Sequence, residues 1–377
     1  MNSEERVLAA CAFQPIDHVP KVEFFWDYPA EWQNRLGPVE NVNDVVILAP
    51  SEGAFPSWVR FLKSEAGYRY EVDQWGRTIR RREGAYFVET LDVPLGDPSL
   101  VDKLPFDPPG LNSRYLQVGI ETIENTFLLG GTPSETEVLQ AIQAVRKQSC
   151  VFGKVGGPYL RSTYLRGETQ FLTDIAQDPS LAQALAEKVA EHLLAIGLEQ
   201  IRRWSLQGTG IWVFDDIAHN GGPMFSPVAF RRIFLPAYRK MVDVFKHAGA
   251  KYVIFHSDGD IRLFLEMLID AGFDGINPVE PRANMRVTEL RRRYPRLILT
   301  GGMDNTGTLV HGPPKKIRAE TLEILEVGQD GGVIIGSGYT GPEISLKHFW
   351  VYHETCLSCM DRSSTAVKIE NDPKNRW

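Results

Sequence analysis

Cysteine is scarce: Cys11, Cys150, Cys356 and Cys359 are the only four in 377 residues. Four thiols cannot staple a chain of this length, so a disulfide scaffold is excluded. No apolar run approaches the ~20 residues that a membrane-crossing helix needs. The opening MNSEERVLAACAFQPID has acids where a secretory signal needs a basic stretch, and it lacks a sustained apolar core. A cytoplasmic protein is therefore expected. Positive charge is not in excess either: 41 Lys and Arg against 48 Asp and Glu give a net charge of -7. That balance speaks against a general nucleic-acid-binding surface. Metal-ligand spacings are also sparse, since no H-x-x-x-H occurs and Cys356-Leu-Ser-Cys359 is a lone C-x-x-C. Placed within the last predicted helix, it reads as a buried helix face rather than a site.

What is present is an ordinary globular mix, 43% hydrophobic, 24% charged and 10% aromatic, which excludes disorder, collagen-like repeats and coiled coil for the bulk of the chain. Short apolar runs alternate with helical patterns. The runs are HVPKVEFFWD (18–27), DVVILAP (44–50), CVFGKVGGP (150–158), GIWVFDD (210–216), KYVIFHSDG (251–259), FDGINPVEP (273–281), RLILTGGMD (296–304) and GGVIIGSG (331–338). Helical spacing covers 180–207, about 226–247 and about 344–359, with shorter stretches between the later runs. Runs this apolar, joined by helices, predict parallel strands buried on both faces. Eight of them fit a (β/α)8 TIM barrel, which needs about 250 residues, and leave room for insertions; a doubly wound open sheet is the rival. Residues 65–110 read as a small antiparallel β insertion, with turns near Trp75-Gly76 and Glu83-Gly84. The barrel domain is expected to span 1–360 and a polar tail 361–377.

In a parallel barrel the site is built at the C-terminal strand ends. Those ends carry Asp215 and Asp216, His256 with Asp258, Glu280, Asp304 and Ser337; Glu23 lies in the first run. Each could instead cap the helix that follows. His256, Asp258, Asp215, Asp216 and Glu280 are the candidate catalytic residues. His256 and Asp258 lie two apart on an extended chain, so they share one side. With Glu280 they offer N and O ligands to a divalent metal, or equally acid–base groups that need none. Arg161, Tyr164 and Arg166 follow the third run and could bind an acidic substrate; Glu23, Asp304 and Ser337 complete the candidate substrate-binding set.

The order GGPYLRSTYLRG, FDD, SPVAFRRIFLPAYRKMVDVFKHAG, HSDGDIRLFLEMLIDAGFDGINPVEP and LTGGMD resembles the uroporphyrinogen decarboxylase superfamily over about residues 5–355, DQWG insertion included. The resemblance implies a (β/α)8 barrel with a deep cleft at the strand ends. It implies either cofactor-free decarboxylation or zinc-dependent methyl transfer between small substrates, corrinoid proteins and thiols. Tyr164 matches the family's tyrosine after the Gly-Pro turn. Departures from the decarboxylases are the acidic, arginine-free VEFFWDYPAEWQ, the VVILAPSEG run without its aspartate, and Gly336-Ser337-Gly338 in place of Gly-His-Gly. The methyltransferase branch reads His-x-Cys-Gly; here His256 and Gly259 match, Asp258 replaces the first cysteine and Ser337 falls near the second. Any metal would then be zinc or another divalent ion on His256, Asp258 and Glu280. Methyl transfer from a small methylated substrate to a corrinoid protein is the leading expectation. Decarboxylation of a carboxylic acid is the alternative, and homodimers are common among barrels of this type.

Overall fold

The computed structural model describes residues 1–82, 85, 88–123 and 126–358. The turn expected at Glu83-Gly84, Cys359 and the tail from 361 lie outside the described residues. The strands, in chain order, begin with β1 (Val45–Ala49). The insertion contributes β2 (Arg60–Glu65), β3 (Tyr68–Val72), β4 (Thr78–Arg82) and β5 (Glu89–Asp92). Then come β6 (Gly119–Ile120), β7 (Cys150–Gly156) and β8 (Gly210–Phe214), the short pair β9 (Ala218–His219) and β10 (Gly222–Pro223), and finally β11 (Tyr252–His256), β12 (Gly275–Val279), β13 (Ile298–Gly302) and β14 (Val333–Gly336).

One curled sheet of eight strands runs β14-β13-β12-β11-β8-β7-β1-β6. Every neighbouring pair is parallel except β1 with β6. All five residues of β8 and all seven of β7 are buried, because helices cover one face and side chains of other strands the other. Strand alternation sorts the side chains. Cys150 and Phe152, Trp212, Tyr252 and Ile254, Ile298 and Ile334 form one apolar cluster with Val22 and Phe24. The residues between them pack outward against the helices. Each such side chain stabilises the fold by about 1.5–3 kcal/mol on burial.

The first predicted strand differs. Residues 18–27 form no regular strand but make isolated bridges, Lys21 with Ile335 and Phe25 with both Thr340 and Ile123. Pro20 has no N–H to give a ladder, and the Asn43 side chain takes both the N–H and the C=O of Glu23. The segment still bonds to β14 and to the residue that precedes β1. Val22 donates to the Ile335 carbonyl at 2.9 Å and Asp44 to the Lys21 carbonyl at 2.8 Å.

The helix expected over 226–247 forms with a π segment, Phe230–Phe234, between two α-helical stretches. Pro236 cannot donate to Arg232 and its ring would meet that carbonyl, so the hydrogen-bond register slips by one residue. The insertion is a four-stranded antiparallel sheet, β2-β3-β4-β5, beginning at Arg60 rather than 65. Its Trp75 is buried edge-on to Tyr164 and His192, and Arg77 stacks 3.7 Å from the Tyr164 ring centre. The insertion therefore packs against Tyr164, which follows β7. No helix among the described residues is long and apolar enough to cross a membrane.

Candidate active site

The inward rows of the sheet end in polar side chains around a cleft of about 710 Å³. In β7 the row Cys150, Phe152 ends in Lys154; in β11 the row Tyr252, Ile254 ends in His256. In β8 the row Trp212, Phe214 leads on to Asp216. The same alternation turns Asp215 away from the cleft.

His256 lies flat on Phe214, ring centres 4.0 Å apart and 13° from parallel. Register pairs it with Asn277 of β12, and its Nδ1 meets Asn277 Oδ1 at 2.6 Å. That contact holds the ring so that Nε2 is turned into the cleft. Nε2 faces carboxylate oxygens of Asp216 and Asp258, each 3.9 Å away. Donor atoms of Asp216, His256 and Asp258 all fall within 4.8 Å of one another. One imidazole nitrogen and two carboxylates around a common point match the ligand set of a divalent cation. Surrounding protein and Asp216 push the Asp258 carboxyl up and His256 pulls it down; its 66% exposure lets solvent blunt both effects.

Glu280 is not part of that trio, although the spacing had suggested it. Its Oε2 accepts the Gly259 N–H at 2.7 Å. Gly259 sits at φ +87°, and a Cβ there would lie 2.6 Å from the His219 backbone, so only glycine presents this N–H. Burial, then Asp258, push the Glu280 carboxyl up to about 6. Glu280 still lines the cleft, as do Arg161 and Tyr164.

Arg161 pairs with buried Glu52, which also accepts the Gly156 N–H at 2.6 Å. Burial pushes the Glu52 carboxyl up, but Arg161 and Lys154 outweigh it and hold it below its ordinary value. Lys154 sits 3.3 Å from Glu121.

Five predicted site residues lie outside the cleft wall, each with a structural task. Asp215, fully buried, accepts from the N–H groups of Tyr159 and Leu160 and from the Tyr238 hydroxyl at 2.5 Å. It caps the helix Pro158–Arg166. Arg166 donates to Asp174 at 2.7 Å and to the carbonyls of Leu95 and Gly96, tying the insertion's return to the barrel. Asp304 caps the turn after β13 through Thr306 and Gly307 N–H; burial works against its ionised form and those donors win, holding the carboxyl low. Glu23 and Ser337 satisfy each other, with Ser337 Oγ 2.5 Å from Glu23 Oε2 and Tyr352 on Oε1.

Burial raises the Asp215 carboxyl from 3.8 to about 7 against the pull of its three donors. A raised carboxyl costs nothing below its unfolded value and its full charge penalty above the folded one. Asp215 therefore subtracts stability progressively as pH rises between those two values. Urea unfolding across that window should show the slope in the wild type and lose it in Asp215→Asn; an unchanged slope would place the titration elsewhere.

Lys154, Asn277 and the aromatic pair Trp26 and Tyr339 were missed. Alternation within CVFGKVG could have signalled Lys154; nothing local marks Asn277. GSGYTG (336–341) has the glycine spacing of a dinucleotide turn, but the next helix starts only at Leu346 and Glu23 takes the Ser337 N–H.

The uroporphyrinogen decarboxylase (URO-D) family model matches residues 121–348. No curated protein matches the chain in sequence. Among solved structures, a methyltransferase from Methanosarcina mazei is 17% identical with a TM-score of 0.61, over 96% of this chain and 99% of that one. The 3-keto-D-glucoside 4-epimerase YcjR of E. coli is 16% identical with a TM-score of 0.32, over 61% of this chain and 84% of that one, too distant to carry an argument. A family match over more than half its length, on a curled parallel sheet with its polar residues gathered at the strand ends, places the chain in the uroporphyrinogen decarboxylase family.

Proposed function

We propose that the chain is a methyltransferase, moving a methyl group from a small methylated substrate to a corrinoid protein, on a (β/α)8 barrel closed through residues 20–25. The observation that carries this is the convergence of His256 Nε2 with carboxylate oxygens of Asp216 and Asp258 on the cleft floor. Asp216, His256 and Asp258 would hold a divalent ion such as zinc by N and O atoms, without the thiolates of the family's methyltransferase branch. When bound, such an ion supplies Lewis-acid polarisation of the heteroatom that gives up its methyl. Asn277 holds the imidazole edge and Phe214 its plane, so the ring nitrogen is presented before substrate arrives. Glu280 and Tyr164 orient the substrate within the cleft. Trp75 and Arg77 of the insertion hold the Tyr164 ring in place. A fold neighbour spanning nearly the whole chain is a methyltransferase, which supports the reading.

A second reading, metal-free decarboxylation of a carboxylic acid, draws on Lys154 and Arg161 in the same cleft. Both cations already face carboxylates, Glu121 and Glu52, which disfavours it for a substrate with many negative charges.

Elemental mass spectrometry on protein purified without chelators, followed by assay of methyl transfer to cob(I)alamin, separates the two. About one equivalent of divalent metal is expected, with methylcobalamin forming from methylated donors. Metal-free protein that releases carbon dioxide from a carboxylic acid would overturn the methyl-transfer reading. Asn277→Ala is expected to weaken metal retention by about 10–100-fold, as outer-shell losses do, measured by competition with a chromogenic chelator. Unchanged retention would remove Asn277 from the site.

A further inference from the structure

The charges that line the cleft do not balance. Lys154 faces Glu121 and Arg161 pairs with Glu52. Once these pairs are set aside, Asp216, Asp258, Glu280 and Glu343 remain on the wall with no lysine or arginine partner among the described residues. A divalent ion held by Asp216, His256 and Asp258 would neutralise two of them and leave Glu280 and Glu343.

The apolar part of the same wall is aromatic. Trp26 and Tyr339, both half-buried, stand edge to face with ring centres 6.4 Å apart and planes at 71°. Phe24 and Phe214 flank His256, with ring centres 6.1 and 4.0 Å from its own. The rings of Trp26 and Tyr339 and carboxylates that face no lysine or arginine act in the same sense: both attract a bulky, weakly hydrated cation and neither rewards an anion.

We infer that the group this cleft selects is a small organic cation, an N-methylated ammonium seated against Trp26 and Tyr339 with Glu280 as counter-charge. The inference rests on the methyl-transfer reading for the place of the site and narrows its methyl donor to nitrogen compounds. Oxygen and sulfur ethers of equal size lack the charge that the wall is built to meet.

Equilibrium binding by isothermal titration calorimetry tests it, on the full chain with and without added zinc. The probes share one shape and differ in charge: choline, neutral 3,3-dimethyl-1-butanol and anionic 3,3-dimethylbutyrate. Choline is expected to bind about tenfold or more tightly than the neutral isostere, with the anion weakest. Glu280→Gln, which keeps an acceptor for the Gly259 N–H, and Trp26→Ala are each expected to abolish most of that preference. Equal binding of choline and the alcohol, tighter binding of the anion, or no binding of any probe would overturn the proposal. The readout needs no corrinoid and no turnover. Choline preference without methyl transfer would thus sink the reaction while keeping the ligand class; methyl transfer from an ether with no choline preference would do the reverse.

Discussion

His256→Ala is expected to empty the trio of its metal and to lower turnover by about 10²–10⁴-fold, the range for losing a positioned catalytic group. The side chain sits at the cleft floor, stacked on Phe214 and bonded to Asn277, so its loss removes the only nitrogen donor facing Asp216 and Asp258 among the described residues. Two carboxylates alone are a poor set for a borderline ion such as zinc, which prefers nitrogen or sulfur ligands. The fold should survive, because the apolar row beneath, Tyr252 and Ile254, is untouched. Metal content, circular dichroism and single-turnover kinetics on the same preparation separate the outcomes. A folded variant that kept both metal and turnover would reduce the trio to a cluster of surface charges.

Arg166→Ala should act in the opposite way, on stability rather than on substrate. Arg166 and Asp174 are both buried, with side chains 8% exposed, and the guanidinium also satisfies two backbone carbonyls. Removing it strands a buried carboxylate, which costs about 3–5 kcal/mol. Urea unfolding measures that loss. Replacing both partners, Arg166→Leu with Asp174→Leu, should recover much of it, since no lone charge remains in the interior. KM is expected to stay at the wild-type value in whatever fraction remains folded. A raised KM with unchanged stability would mean that Arg166 binds substrate after all.

The contrast between these two residues shows how much of the site could be read from the chain. Both lie beside apolar runs and both looked available for chemistry. For His256 the local pattern sufficed. It ends an inward row of a β-branched and aromatic strand, so alternation carries it to the cleft. Asp216 follows the same rule, and Asp215, one residue earlier, must then face the helices; the phase of GIWVFDD already contained that distinction. Asp304 follows the local capping rule, through the Thr306 and Gly307 N–H groups. For Arg166, Glu23 and Ser337 no local pattern helps, because the Leu95 and Gly96 carbonyls on Arg166 and the pairing of Glu23 with Ser337 are set by where distant segments meet.

The chain by itself determined the kind and order of elements. Apolar runs joined by helical patterns can bury both faces only as parallel strands, and that placed the polar strand ends on one rim. Tertiary structure alone decided which polar groups converge. The register between β8 and β11 brings Asp216 to His256. The register between β11 and β12 sets Asn277 beside His256, and Glu280, just past the end of β12, reaches the Gly259 N–H. Likewise, Arg161 and Lys154 became paired cations rather than free substrate ligands only because Glu52 and Glu121, far off in sequence, fold against them. Alternation along one strand is a local property of the backbone; the charge of a cleft is the sum over many strands, and only the fold performs that sum.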